Sequence, residues 1–403
     1  MSFLCGIGKT KNNGYGLPEE PLHASAFDGF GYMDVKIGTV IDDFEVVRKL
    51  GWARYSSVWL CMYTCRLHRP PARRYFALKV LTRYGSAGLQ AKISDEYRAL
   101  ATVTLVNPSH PGFMHCGILL GSCFERKGGH TCFVTEPLGG DLASLQIAQS
   151  NQRFSEEAAK KIVKQMLLAL DYLHRECEYI HTDIKPDNLL VCPPDLTQES
   201  IENVLLRSPV ERYKPMRVRR LSPKPIITIR SQPLPNLGLK SSLENLSIKL
   251  IDFGNVVPDQ TLQPKLVRAP EVVVGLSWSP AMDIWNVGCL LFGFLTSQPP
   301  FYQNLSKVPF SPTLHLQQME ERLGPFPPVF VSHFPETFDE KGIYAILSHL
   351  HSRFYGLPRP HFLPKTEKPN DSAGRFLRRC LTLDPGARPN SLALLDDEWL
   401  QGV

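Results

Sequence analysis

The chain lacks several things, and each absence narrows what it can be. No apolar run approaches the ~20 residues that a membrane-crossing helix needs; the most apolar stretch, Val287 to Leu295, is about half that length and reads as a buried helix. The opening residues, MSFLCGIGKTKNNGYG, hold no continuous apolar core and read as neither secretory leader nor anchor. The ten cysteines contain no CxxC pair, so with no leader in view they are expected as reduced thiols of an intracellular protein. Cys61 with Cys65, or His115 and Cys116 with Cys123, would be the alternative as metal ligands, at spacings that suit ordinary thiols better. Strong charge of either sign is missing too. Forty-five Lys and Arg against 39 Asp and Glu leave +6 over 403 residues, which offers no global attraction for a basic partner.

What is present is ordinary globular composition, 43% hydrophobic and 21% charged, enough for about two structural lobes. The chain is organised around residues 181–188, HTDIKPDN. An acid, a lysine two places on and an asparagine five places on have the spacing that phosphoryl transfer to a hydroxyl requires. Asp183 would accept the hydrogen bond of the attacking hydroxyl, Lys185 would face the departing phosphoryl oxygens, and Asn188 would hold a magnesium ion. Alone, the octapeptide could be a polar turn after a strand. Its distant partners decide between the two.

The first 38 residues are Gly-rich and polar and are expected to be loosely held until Gly31, Tyr32 and the segment Val35 to Gly38. Two β-branched runs, 44–50 and 57–62, flank Gly51 to Ser56 as strand, turn and strand. In the protein kinases, which this stretch resembles, such a hairpin folds over the nucleotide; the resemblance implies Leu50, Gly51, Trp52, Ala53, Ser56 and Val58 around the ligand, yet only the first glycine of a phosphate loop is kept. The next apolar strand, 75–80, contains Ala77 and Lys79. A lysine there needs anionic partners, and nucleotide phosphates and Glu96 are the candidates, Glu96 lying on a helix with an Ile93, Leu100, Val103 stripe. A snorkelling surface lysine is the alternative. After two more strands, Leu138-Gly139-Gly140 breaks the pattern and marks a hinge; the resemblance of the chain to the protein kinases implies that main-chain groups of Glu136 and Leu138 hold adenine there and that Thr135 guards the pocket behind it.

Ser155 caps a long amphipathic helix that delivers the catalytic loop, under whose backbone His181 is expected to pack. Residues 193–246 show no clear periodicity and read as an insertion, partly disordered. They carry Arg212, Lys214, Arg217, Arg219, Arg220 and Lys224, a solvated basic loop in preference to a site for nucleic acid or a phosphorylated partner. Order resumes with a strand ending in Asp252-Phe253-Gly254, where Asp252 would ligate the metal. Ala269-Pro270-Glu271 follows, then a helix with Asp283, and Arg388 is the expected buried partner of Glu271.

The ordered set Gly51, Lys79, Glu96, Asp183, Asn188, Asp252, Glu271, Asp283 and Arg388 resembles the eukaryotic protein kinases from about Asp42 to Leu400. Within them, RKLGW, HTDIKP, FGN, RAPEV, DIWNVGC and the lead-in GYMDVKIG resemble the SR-protein (serine/arginine-rich splicing factor) kinases, fungal members in particular. The resemblance implies an α+β, bilobal protein kinase fold. In it, 1–41 would be an N-terminal extension, 42–137 an antiparallel β-sheet N-lobe, and 138–403 a mainly helical C-lobe carrying the spacer-like 193–246. It implies transfer of the γ-phosphate of MgATP to serine of arginine/serine-rich proteins, in cytoplasm and nucleus. Lys185 favours serine or threonine over tyrosine. Thr182 stands where many kinases have an arginine that senses a loop phosphate, so activity without phosphorylation of Thr261 is expected. The partners expected are ATP and a protein substrate, with no membrane, no direct nucleic-acid contact and a monomeric chain. A kinase for other basic proteins and a pseudokinase scaffold are the competing readings; the intact Lys79, Glu96, Asp183, Lys185, Asn188 and Asp252 set favours the enzyme.

Overall fold

The computed structural model describes residues 17–64, 74–218, 225–253, 263–304, 308–333 and 372–403. In chain order the strands are β1 Val40–Ile41, β2 Phe44–Ala53, β3 Ser56–Tyr63, β4 Tyr75–Leu81, β5 Leu119–Glu125, β6 His130–Thr135, β7 Leu189–Val191 and β8 Ile248–Leu250. The α-helices are α1 Arg83–Gln90, α2 Glu96–Leu105, α3 Leu142–Ile147, α4 Glu156–Asp171, α5 Gln198–Arg207, α6 Pro270–Val274, α7 Ala281–Thr296, α8 Pro312–Leu323, α9 Pro328–His333, α10 Ser372–Cys380 and α11 Ser391–Leu395. They fall into two units, one holding 17–145 and 187–253, the other 146–186 and the described residues from 263 on.

The first unit is built on an antiparallel sheet in the order β1-β2-β3-β4-β6-β5. Strand alternation sorts its side chains. Val58, Leu60 and Met62 of β3 stand directly opposite Lys79, Ala77 and Tyr75 of β4. Trp59, Cys61, Leu78 and Val80, the residues between, join Val46 and Val134 in a buried core. The short β7–β8 ladder belongs to the same unit.

The described parts of two stretches expected to be loose are packed. Leu17 and Ala24, ahead of Gly31, are buried, as are Tyr32 and Val35, where a firm hold was expected to begin, and the fully buried Lys49 ammonium takes both Glu19 (3.1 Å) and Glu20 as partners beside the Ile229 carbonyl (3.2 Å). Within 193–246, Thr197 caps α5, and Ile201 with Leu234 packs on Leu60 and Tyr75. The helix was concealed because its apolar stripe, Ile201, Val204 and Leu205, is a single turn long between proline-rich flanks. Ile93 is a third correction: α2 begins at Glu96, leaving Ile93 66% exposed, while Leu100 and Val103 are buried. Arg219, Arg220 and Lys224 lie outside the described residues.

The second unit is helical. Ser155 Oγ caps α4, as its placement before two glutamates predicts. Helix α7 is buried at every position from Met282 to Phe294, the mark of a central helix. A Cβ at Gly288 would lie 2.8 Å from Cys380 Cβ, so the bare backbone lets α10 approach α7 closely. No helix among the described residues is long and apolar enough to cross a membrane, and the described cysteines are free thiols.

Candidate active site

In the sheet-bearing unit, Lys79 projects from β4 with Ala77 and has Val58 as its cross-strand partner. Its ammonium reaches Glu96 at the start of α2 and Asp252 Oδ1 at 2.9 Å. Burial alone would push the Lys79 ammonium down; the carboxylates of Asp252 and Glu96 outweigh it and hold the group above its usual range, fully charged. Asp252 follows β8 in a left-handed conformation, φ 70°, and Phe253 beside it is buried. The β7–β8 ladder ends with Ile251 N–H donating to Asn188 O at 2.9 Å, which sets Asn188 next to the strand end that carries Asp252. These two supply a carboxylate and an amide oxygen, hard donors of the kind magnesium accepts.

Gly51, Trp52 and Ala53 pair with Val58, Ser57 and Ser56 across the β2–β3 hairpin, and a bulge at Leu50 interrupts the ladder just before. Leu50 packs toward Leu60 and Tyr75. Thr135 is paired with Ala77 across β4 and β6. Beyond it, the Glu136 carboxylate is ion-paired with Lys249 of β8, both half-buried. Gly139 N–H donates to Val191 O (2.9 Å) and Gly140 N–H to Asn236 Oδ1 (2.8 Å), so residues just after Leu138 are fastened to β7 and to the insertion. Lys249 and Asn236 were not among the residues the sequence singled out. A lysine inside the apolar run Ile248 to Ile251 is the same signal that drew attention to Lys79.

In the helical unit, Asp183 is buried and bonded to Lys185 Nζ at 2.6 Å. The loop that presents them is strained: Thr182, a β-branched residue, has φ 67°. The buried Asp283 carboxylate holds it there, accepting the N–H groups of His181 (2.8 Å) and Thr182 (2.9 Å) while His174 Nε2 approaches at 2.9 Å. Burial would raise Asp283; the bonds and charge of His174 and His181 outweigh it and keep the carboxyl below the usual range. His181 is buried beneath this backbone. Downstream, Gln263 donates to Met282 O (3.0 Å) and Asn286 Oδ1 (2.7 Å) and accepts Ala269 N–H (2.8 Å), and Asn286 donates to Val267 O (2.8 Å). Segment 263–269 is therefore locked by neutral amides. Gly254 and Thr261 lie outside the described residues.

The protein kinase domain model matches residues 44–197 and 236–400. The chain belongs to the protein kinase family. The gap in the match, 198–235, falls inside the stretch read as an insertion. The kinase is 29% identical over 398 residues to a serine/threonine protein kinase of Aspergillus fumigatus, covering 93% of this chain and 89% of the relative. It is 26% identical to the serine/threonine-protein kinase SRPK of Physarum polycephalum, with the same coverage. Against human SRSF protein kinase 3 it is 40% identical over 169 residues, 41% of this chain and 28% of that one. The likeness to SR-protein kinases stated from RKLGW, HTDIKP and DIWNVGC is matched by these relatives. A crystal structure of another kinase domain aligns with TM-score 0.61 over 92% of this chain and 99% of that one, at 22% identity, and shows the bilobal protein kinase fold. As a protein kinase it uses ATP, a divalent metal and a protein substrate.

Proposed function

We propose that this kinase transfers the γ-phosphate of ATP to serine in arginine/serine-rich proteins, using magnesium. The observation that carries the reading is the Lys79 ammonium held between Glu96 and Asp252, the arrangement an active nucleotide site needs and a degenerate scaffold has no reason to keep. In this reading the serine oxygen forms its bond to the γ-phosphorus as the bond to the β-phosphate oxygen breaks. The hydroxyl proton passes to the Asp183 carboxylate, and ADP leaves. Lys185 meets the phosphoryl oxygens. Lys79 binds the α- and β-phosphates, oriented by Glu96, and Gly51, Trp52, Ala53 and Ser56 cover them. Leu50, Val58 and Ala77 pack on the adenine, whose edge is read by main-chain groups of Glu136 and Leu138. Asn188 and Asp252 would hold magnesium, which when bound neutralises charge on the β- and γ-phosphate oxygens.

Lys79→Met tests this assignment. It leaves Glu96 and Asp252 as two carboxylates with no cation between them. Phosphoryl transfer is expected to fall ~10²-fold or more, as for loss of other preorganised charges in a reaction centre, with nucleotide binding weakened in calorimetry. Unaltered turnover would remove β4 from the site.

Substrate choice is read from the SRPK-type relatives and the motifs they share, and cytoplasm and nucleus are the compartments that go with such substrates. The neutral lock on 263–269 and Thr182 in place of an arginine favour activity without a loop phosphate. One experiment addresses both points. Protein produced in a host without other protein kinases is offered an array of Arg-Ser repeats, acidic serine peptides and proline-directed serine peptides. Strong labelling confined to the Arg-Ser repeats is expected; equal labelling, or a need for prior phosphorylation on Thr261, would refute the corresponding half.

A further inference from the structure

The β2–β3 turn has Ala53 and Ser56 where more flexible loops have glycine, and it is held from outside the hairpin. The Tyr32 hydroxyl, on a residue 8% exposed, lies 2.6 Å from the Ala53 carbonyl oxygen and 2.8 Å from that of Arg54, sharing its one proton between them. The next carbonyl, Tyr55 O, accepts Thr82 N–H at 2.8 Å. Three successive carbonyls at the tip are therefore taken. Trp52 meets the Tyr32 ring edge-on at 6.3 Å, and Tyr55 stacks on Tyr84 at 5.6 Å.

The anchor is itself fixed. Gly31 O accepts Arg83 N–H (2.9 Å) and Phe30 O accepts Tyr84 N–H (3.1 Å), while Thr82 Oγ1 accepts Gly85 N–H (3.0 Å). Segment 30–31 thus satisfies donors that the first turn of α1 would leave open. Gly31 has φ +82°, and a Cβ there would stand 3.1 Å from Arg83 Cβ, so the chain reaches Tyr32 by a path suited to glycine. Burial, then the Glu20 charge, push the Tyr32 phenol up, and it stays a donor.

We propose that Tyr32 is a positioning residue for the nucleotide phosphates, holding the loop tip by its carbonyls so that the tip's N–H groups keep one direction. The C=O and N–H of a planar trans peptide point oppositely, so fixing the Ala53 and Arg54 oxygens fixes the N–H groups of Arg54 and Tyr55. The proposal rests on reading this turn as the phosphate-covering loop. Tyr32→Phe keeps the ring and removes the hydroxyl. In the full chain without nucleotide, hydrogen exchange is expected to quicken several-fold at 53–56 alone. ATP and ADP are expected to bind about fivefold more weakly, the worth of one hydrogen bond, and adenosine as before. Unchanged exchange at 53–56 overturns the proposal, as does ATP affinity equal to or above the parent's. Equal loss for adenosine and ATP, or faster exchange throughout the sheet, overturns it by making Tyr32 a packing residue. Failure of the parent to bind ATP would sink the phosphate-loop reading instead, and the exchange measurement would still judge the tether.

Discussion

Asp183→Asn is expected to lower phosphoryl transfer by on the order of 10³-fold while ATP binding and thermal stability stay near those of the parent. The substitution is isosteric, so the loop keeps its shape: the Asp283 carboxylate still receives the N–H groups of His181 and Thr182. What it removes is the carboxylate assigned to accept the hydroxyl proton, together with the charge that draws Lys185 to 2.6 Å. Lys185 is 22% exposed at its side chain, so water can solvate the freed ammonium and little folding energy is lost. Single-turnover measurement with preformed enzyme and MgATP separates the steps. Loss of transfer together with loss of nucleotide binding would indicate misfolding, and undiminished turnover would take Asp183 out of the chemistry.

The parts of the site that could be read beforehand are those where charge stands in apolar surroundings. Lys79 inside an apolar strand had to find anions, and Glu96 and Asp252 are those anions. The same rule applies to Lys49 and Lys249. Their partners escaped notice because Glu19 and Glu20 sit in a stretch whose glycines suggested looseness, and Glu136 was considered only for its main chain. The left-handed Thr182 and Asp252 leave no trace in composition, since neither residue type announces positive φ. Tyr32 was hidden for a related reason: its acceptors are carbonyls, which every residue carries. The sheet was legible from apolar, β-branched runs, whereas α5 was not, because one turn of apolar spacing between prolines resembles chance.

The largest expected effect on stability is at Arg388. Its guanidinium makes a two-pronged pair with Glu271, 2.7 and 3.1 Å, and both side chains are wholly buried. It also donates to Ala281 O (2.8 Å) and Thr382 O (2.9 Å) and lies over Trp285 at 5.0 Å. Arg388→Met would leave Glu271 charged, buried and without its cation, a defect that typically costs about 3–5 kcal/mol. Urea unfolding is expected to show that loss, with activity falling as well because Glu271 opens α6 directly after the locked segment 263–269. A second change decides the cause. Glu271→Leu combined with Arg388→Met removes the stranded charge and is expected to recover more than half of the lost stability, since apolar pairs often replace buried ion pairs at little cost. A single variant within about 1 kcal/mol of the parent would mean the pair is not what holds α6. A double variant as unstable as the single one would shift the weight to the two carbonyls and the indole, which tie Arg388 to α7, through Ala281 and Trp285, and to Thr382 after α10 whatever the charge on Glu271.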